Sequence, residues 1–171
     1  GVAGELATNF ALGSSKVVVK GAIETSFGTG TLHFGGVAGS LTGTISGSYS
    51  QPSDLQELGF NIGLSVGIVN IVENPKTTNV LVGGVAGVAG ENATIQNLVL
   101  MGKISVSAQS TGFVAGIAGK SDRATIQNSI LLGVNVEADS SNSNLAAAGV
   151  VGQATGGAIT GIKFISLRLA D

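Results

Sequence analysis

A tetrad of Gly, two small aliphatic residues and Gly returns along this chain at a nearly constant interval, and such an interval decides the architecture before any local motif does. Gly84-Val85-Ala86-Gly87, Gly116-Ile117-Ala118-Gly119 and Gly149-Val150-Val151-Gly152 begin 32 and 33 residues apart. Within these units Ala93-Thr94-Ile95-Gln96-Asn97 recurs unchanged as Ala124-Thr125-Ile126-Gln127-Asn128, and Ala158-Ile159-Thr160-Gly161 stands at the matching place of the third. Each match leads into an apolar run, Leu98 to Met101, Ile130 to Leu132 and Ile162 to Ile165, and in the first two units the run ends at Gly102 or Gly133. The unit reads as strand, turn, strand.

Gly1-Val2-Ala3-Gly4 and Gly36-Val37-Ala38-Gly39 extend the pattern, with spacings of 35 and then 48 residues. The excess in the second spacing falls near residues 51–79, where Pro52 and Pro75 also sit. Inside it Ser53-Asp54-Leu55-Gln56 fits a helix capping box with Gly59 as a stop, and Phe60, Ile62, Leu64, Val66 and Ile68 then alternate as in a strand with one buried face. Elsewhere the apolar period is also two: Val17, Val19 and Ile23 against Lys16, Lys20 and Glu24, and Ile104, Val106 and Ala108 against Lys103, Ser105 and Ser107. A repeat of about 32 residues with three short strands predicts one turn of a parallel β-helix, each strand pairing with its counterpart one coil along. The expected fold is all-β, a β-solenoid of about five coils with one irregular insertion, filling residues 1–171 as a single domain.

Composition narrows the function classes. With 28 Gly, 43% hydrophobic and only 11% charged residues, the chain carries too much apolar side chain for disorder. A net charge of −2 supplies no basic stripe for nucleic acid. Cys is absent, which excludes disulfides and thiolate metal sites. The most apolar uncharged stretch, Leu58 to Val72, is 15 residues long, short of the roughly 20 that span a bilayer as a helix. The first residue is Gly1 and no charged-then-apolar leader follows, which reads as a mature or excised piece of a longer chain or a filament subunit.

The run Gly83-Gly84-Val85-Ala86-Gly87, then Ile95-Gln96-Asn97, then Gly102-Lys103-Ile104, resembles the GLUG-type repeat of large bacterial and protist surface proteins. Gly116-Ile117-Ala118-Gly119, Ile126-Gln127-Asn128 and Gly133-Val134-Asn135-Val136 are similar, and the likeness covers residues 83 to about 165. The resemblance implies a right-handed coil and a role in extracellular adhesion or scaffolding, with no catalytic residue. The chain departs from that pattern at Leu98 and Ser129, after the asparagines, and at Gly161, which replaces the asparagine of the third unit.

Few residues offer chemistry. His33, the single histidine, is set in Thr31-Leu32-His33-Phe34 without the orienting partner a general base needs or the further ligands a metal needs, so an exposed or hydrogen-bonded histidine is expected. Glu137 and Asp139 have the i, i+2 spacing of one strand face, suited in principle to calcium or to acid and base work; with Ser140-Ser141-Asn142-Ser143-Asn144 behind them they read as a solvated loop. Lys120-Ser121 follows one glycine tetrad, but each tetrad sets two residues between its glycines where a phosphate loop sets four, and the surrounding alternation is that of strands, so the tetrads read as tight turns or close coil packing and not as phosphate cradles. Asn97 and Asn128 share one repeat position and are expected to form a structural amide ladder. Asn92-Ala93-Thr94 is a glycosylation acceptor triplet that would put Asn92 on a surface loop.

The expected function is therefore a non-enzymatic structural or adhesive module at the cell surface or outside the cell. It would bind copies of itself or the rest of a longer chain, with no cofactor, metal or nucleic acid. The alternative is a carbohydrate- or ice-binding solenoid that uses a flat face carrying Thr29, Thr31, Thr42, Thr44, Thr94 and Thr125.

Overall fold

The computed structural model describes residues 2–12, 16–25, 30–49, 63–73, 79–107, 111–139 and 145–166, with residues 16–17, 20–25 and 63–73 described by their backbone pairing. The first pass of the chain lays down β1 (Ala3–Leu6), β2 (Phe10–Ala11), β3 (Lys16–Thr25) and β4 (Thr31–Gly35). The second gives β5 (Ala38–Leu41), β6 (Thr44–Ser46), β7 (Gly63–Glu73) and β8 (Asn79–Gly83). The third gives β9 (Ala86–Ala89), β10 (Thr94–Gln96), β11 (Val99–Ser107) and β12 (Thr111–Ala115). There follow β13 (Ala118–Asp122), β14 (Thr125–Asp139), β15 (Leu145–Ala148), β16 (Val151–Thr155) and β17 (Ala158–Ile165).

Every strand pairs in parallel with its counterpart one coil along, in three sheets: β1-β5-β9-β13-β16, then β2-β6-β10-β14-β11-β7-β3 with β17 on β14, and β4-β8-β12-β15. The second sheet doubles back on paper because β14 is one uninterrupted strand whose first part pairs with β10 and whose remainder pairs with β11. The described residues are all-β with no helix, stacked as a β-solenoid of about three turns and not five coils. Counting tetrads overestimates turns because a tetrad marks only where a coil starts. The third sheet, with four strands, encloses three coil-to-coil steps, and no strand of that sheet follows β17 among the described residues. The capping-box segment at Ser53–Gly59 lies outside the described residues; the alternation after it belongs to β7, which begins at Gly63.

Register is set by like residues meeting at the coil distance. Phe10, Ile45, Ile95, Ile126 and Ile159 form one column, and Ile45, Ile95 and Ile126 are fully buried. Removing each such side chain from water stabilises the fold by about 1.5–3 kcal/mol. Slipping one coil by a single residue would turn the whole column outward, so the pattern fixes the pairing. Ile159 keeps the column but is 43% exposed, because no strand among the described residues pairs on its outer side. The first sheet packs so closely on the third that a Cβ on Gly87 would lie 2.5 Å from Phe34 N, and on Gly119 2.6 Å from Val82 N. Those tetrad glycines are therefore packing residues.

Candidate functional site

The repeated Ala-Thr-Ile-Gln-Asn segment builds the most regular surface of the molecule. Ile95 and Ile126 point inward, so the flanking residues of the short strand face out: Thr44, Thr94 and Thr125 align in one half-buried column, and Ser46, Gln96, Gln127 and Thr160 in the next. Gln127 Nε2 donates to Gln96 Oε1 at 2.9 Å, an amide bridge from coil to coil. Asn97 and Asn128 end their strand segments with φ of 57° and 50°, and Gly161 takes the same left-handed conformation at 63°. Asn tolerates this region far better than most residues, and Gly adopts it without steric cost. This accounts for the Asn-to-Gly change in the last repeat. The two asparagines thus stack as turn residues, with the Asn97 N–H donating to the Gln127 carbonyl at 3.3 Å, and the side-chain bridge between these coils belongs to the glutamines one position earlier. Just after the turn, Ser129 Oγ donates to the Gln127 carbonyl at 3.0 Å and accepts from the Leu98 N–H at 3.2 Å, which satisfies two buried groups at once.

Glu137 and Asp139 stand on the outer edge of β14, in register with Ser105 and Ser107 of β11. The Glu137 carboxylate is already engaged: Lys103 Nζ lies 2.7 Å away, and Asn135 Nδ2 and Ser105 Oγ donate to it at 2.9 and 3.4 Å. The Lys103 contact, chiefly, holds its carboxyl below the ordinary value of 4.5, which is the wrong direction for a general acid. Among the described residues no group of three His, Asp or Glu side chains is placed to hold a metal ion.

His33 is half-buried on β4 with Nδ1 hydrogen-bonded to Ser40 Oγ at 2.9 Å. Burial, and then the positive charge of Lys120, hold it below its ordinary value of 6.5. Asn92 is exposed in a turn with φ of 66°, on the surface as the acceptor triplet requires. Its counterpart one coil on, Arg123, repeats the conformation at 57° and reaches back to Glu91 at 2.9 Å, while Thr155 Oγ1 donates to Asp122 Oδ1 at 2.9 Å.

Sequence reasoning overlooked these polar ladders. The signal was present: Glu91 and Arg123 are 32 residues apart and Lys103 and Glu137 are 34 apart, so opposite charges recur at the coil distance. What the geometry brings together is thus a set of coil-spanning polar rungs and two ends. At one end, Ala3, Gly4, His33, Phe34, Gly35 and Gly39 line a narrow groove of about 200 Å³ beside β4. At the other, Leu131, Val134, Val136, Phe164 and Ile165 line a wider apolar groove of about 410 Å³. No helix among the described residues is long and apolar enough to cross a membrane. Comparison with protein-family models, with curated proteins and with solved structures found no match.

Proposed function

We propose that this chain is a structural or adhesive module of an extracellular or cell surface, built of GLUG-type repeats, which associates with copies of itself or forms part of a larger assembly or filament. The observation that supports the reading is where burial stops. Val37, Val85 and Ile117 of the tetrads are at most 1% exposed, whereas Val2 at the same repeat position is 53% exposed; at the far end Ile159 and Phe164 are 43% and 63% exposed. A further coil of the same kind on either end would continue these columns and use the edge N–H and C=O groups, as stacked repeats do. A head-to-tail contact of this sort propagates without closing. The reading is non-catalytic, and it needs no metal or cofactor.

Sedimentation of the purified chain tests it. Concentration-dependent association is expected, lost in the variant carrying Ile159→Lys and Phe164→Ser; a concentration-independent monomer would overturn the assembly reading. A second reading, a flat face for polysaccharide or ice, is favoured by the in-register column Thr44, Thr94 and Thr125. Glycan-array binding or inhibition of ice recrystallisation, abolished by Thr94→Val with Thr125→Val, would support it.

A further inference from the structure

Among the asparagines of the chain, Asn92 alone stands two residues before a Ser or Thr with no proline between, in Asn92-Ala93-Thr94. The passage from the first sheet to the second gives this triplet its place. Leu41, Ala89 and Ser121 are partners in the first sheet, and Thr44, Thr94 and Thr125 are partners in the second. Thr42 and Gly43 suffice for the passage in one coil and Asp122, Arg123 and Ala124 in another, whereas the coil between them spends Gly90, Glu91, Asn92 and Ala93. This longer link closes as a β-turn: the Ala93 N–H donates to the Gly90 carbonyl at 3.0 Å, which leaves Glu91 and Asn92 at the tip, both exposed. Arg123 of the next coil holds Glu91 at 2.9 Å. The φ of 66° at Asn92 does not by itself call for asparagine, since Arg123 adopts 57° in the next coil.

We propose that Asn92 is an N-glycosylation site, modified by an oligosaccharyltransferase that draws its sugar from a lipid-pyrophosphate carrier. The Asn92 Nδ2 forms a bond to the anomeric carbon of the first sugar. The bond from that carbon to the pyrophosphate breaks, the lipid pyrophosphate leaves with the electron pair, and a base of the transferase takes the amide proton. Thr94 supplies the hydroxyl that the triplet requires, and Ala93 is compatible between them as proline would not be. The folded chain accommodates the product because the acceptor is at an exposed turn tip. The turn leads directly into β10, which has β6 on one side and β14 on the other, so the glycan stands on the flank of an interior coil beside the Thr44, Thr94 and Thr125 column. Sideways contact through that face is hindered, while the ends, where Val2 and Phe164 are exposed, stay open to axial stacking. The inference rests on the extracellular reading, since a chain meets such a transferase on its way out of the cell.

Cell-free translation of the full chain into microsomes tests it, with a secretory leader placed before Gly1 and only protease-protected chains scored. A single mass increment that an N-glycosidase removes is expected. Asn92→Gln and Thr94→Val should each abolish it, and Thr94→Ser should retain it. Protected chains without the increment, or an increment that survives Asn92→Gln, overturn the inference. The glycosylated chain and Asn92→Gln should unfold at the same temperature, because the tip is exposed; a clearly lower melting temperature for the glycosylated chain overturns the placement on a free turn. Sedimentation separates this inference from the assembly reading. A chain that carries the glycan and is a monomer with or without it removes assembly and leaves the site standing, whereas a chain that self-associates but takes no sugar removes the site and leaves assembly standing.

Discussion

Ile95 and Ile126 lie side by side on adjacent coils, paired in register and fully buried. Ile126→Ala should cost about 2–5 kcal/mol, because the coils above and below prevent the gap from closing. Ile126→Asp should abolish cooperative folding, since it buries an unpaired charge. Ile159→Ala, in the same column but 43% exposed, should cost less than about 1 kcal/mol. Denaturant unfolding of the three variants checks the order, and equal losses at Ile126 and Ile159 would refute the interior column.

Ser121 and Ser129 are both buried, yet only the hydroxyl of Ser129 is hydrogen-bonded; that of Ser121 has no partner among the described residues. Ser121 pairs with Ala89 and Ala154 on its two sides. Ser121→Ala should therefore be neutral or stabilise by up to about 1 kcal/mol, while Ser129→Ala should destabilise by about 1–3 kcal/mol by leaving the Leu98 N–H unsatisfied. Thermal or chemical unfolding that ranks the two variants the other way would contradict this hydrogen bonding.

The left-handed turn makes Asn97 a conformational site. Asn97→Gly should be tolerated, as Gly161 is one coil pair away, whereas Asn97→Val should cost about 1–3 kcal/mol through backbone strain. If the two substitutions have equal effects on unfolding, the turn does not depend on positive φ.

Acid should weaken the fold in two stages. His33 is held below 6.5 in the folded chain, so the unfolded chain takes up a proton first; its contribution is full above pH 6.5 and declines as pH falls below that until folded His33 also titrates. Glu137 is held below 4.5, and its contribution is present above pH 4.5 and lost as pH falls through its folded value. His33→Gln should flatten the first stage and Glu137→Gln the second in a series of unfolding curves against pH. An unchanged pH profile in both variants would remove these assignments.

The sequence made legible whatever repeats in residue type at the coil distance. Ile95 and Ile126 could be aligned by eye, and parallel stacking followed from that alignment. Asn97 and Asn128 were legible as a repeated position but not as turn residues, because a side-chain alphabet records φ only through the Asn-to-Gly exchange at 161. Turn number was misjudged because tetrads mark coil starts, and coil closure depends on strands such as β4 and β15 that share no motif: Thr31–Gly35 and Leu145–Ala148 have only the aligned leucines Leu32 and Leu145 in common. The partnership of Lys103 with Glu137 was hidden for a related reason. Proximity here runs across coils, so neighbours in space are about 32 residues apart in the chain.

That same spacing gives the molecule a mechanical character. The edge strands β1 and β16 bound the first sheet, so a pull along the stack loads the parallel ladders from their ends, one rung at a time, instead of shearing all of them together. Peeling one repeat of 32 residues shortens the stack by about 4.8 Å and releases a contour of about 110 Å. Each coil is then a small extensible link that yields and lengthens in sequence, with Ile159 and its uncovered coil giving way before the buried coil of Ile95, and single-molecule extension should show steps of that length.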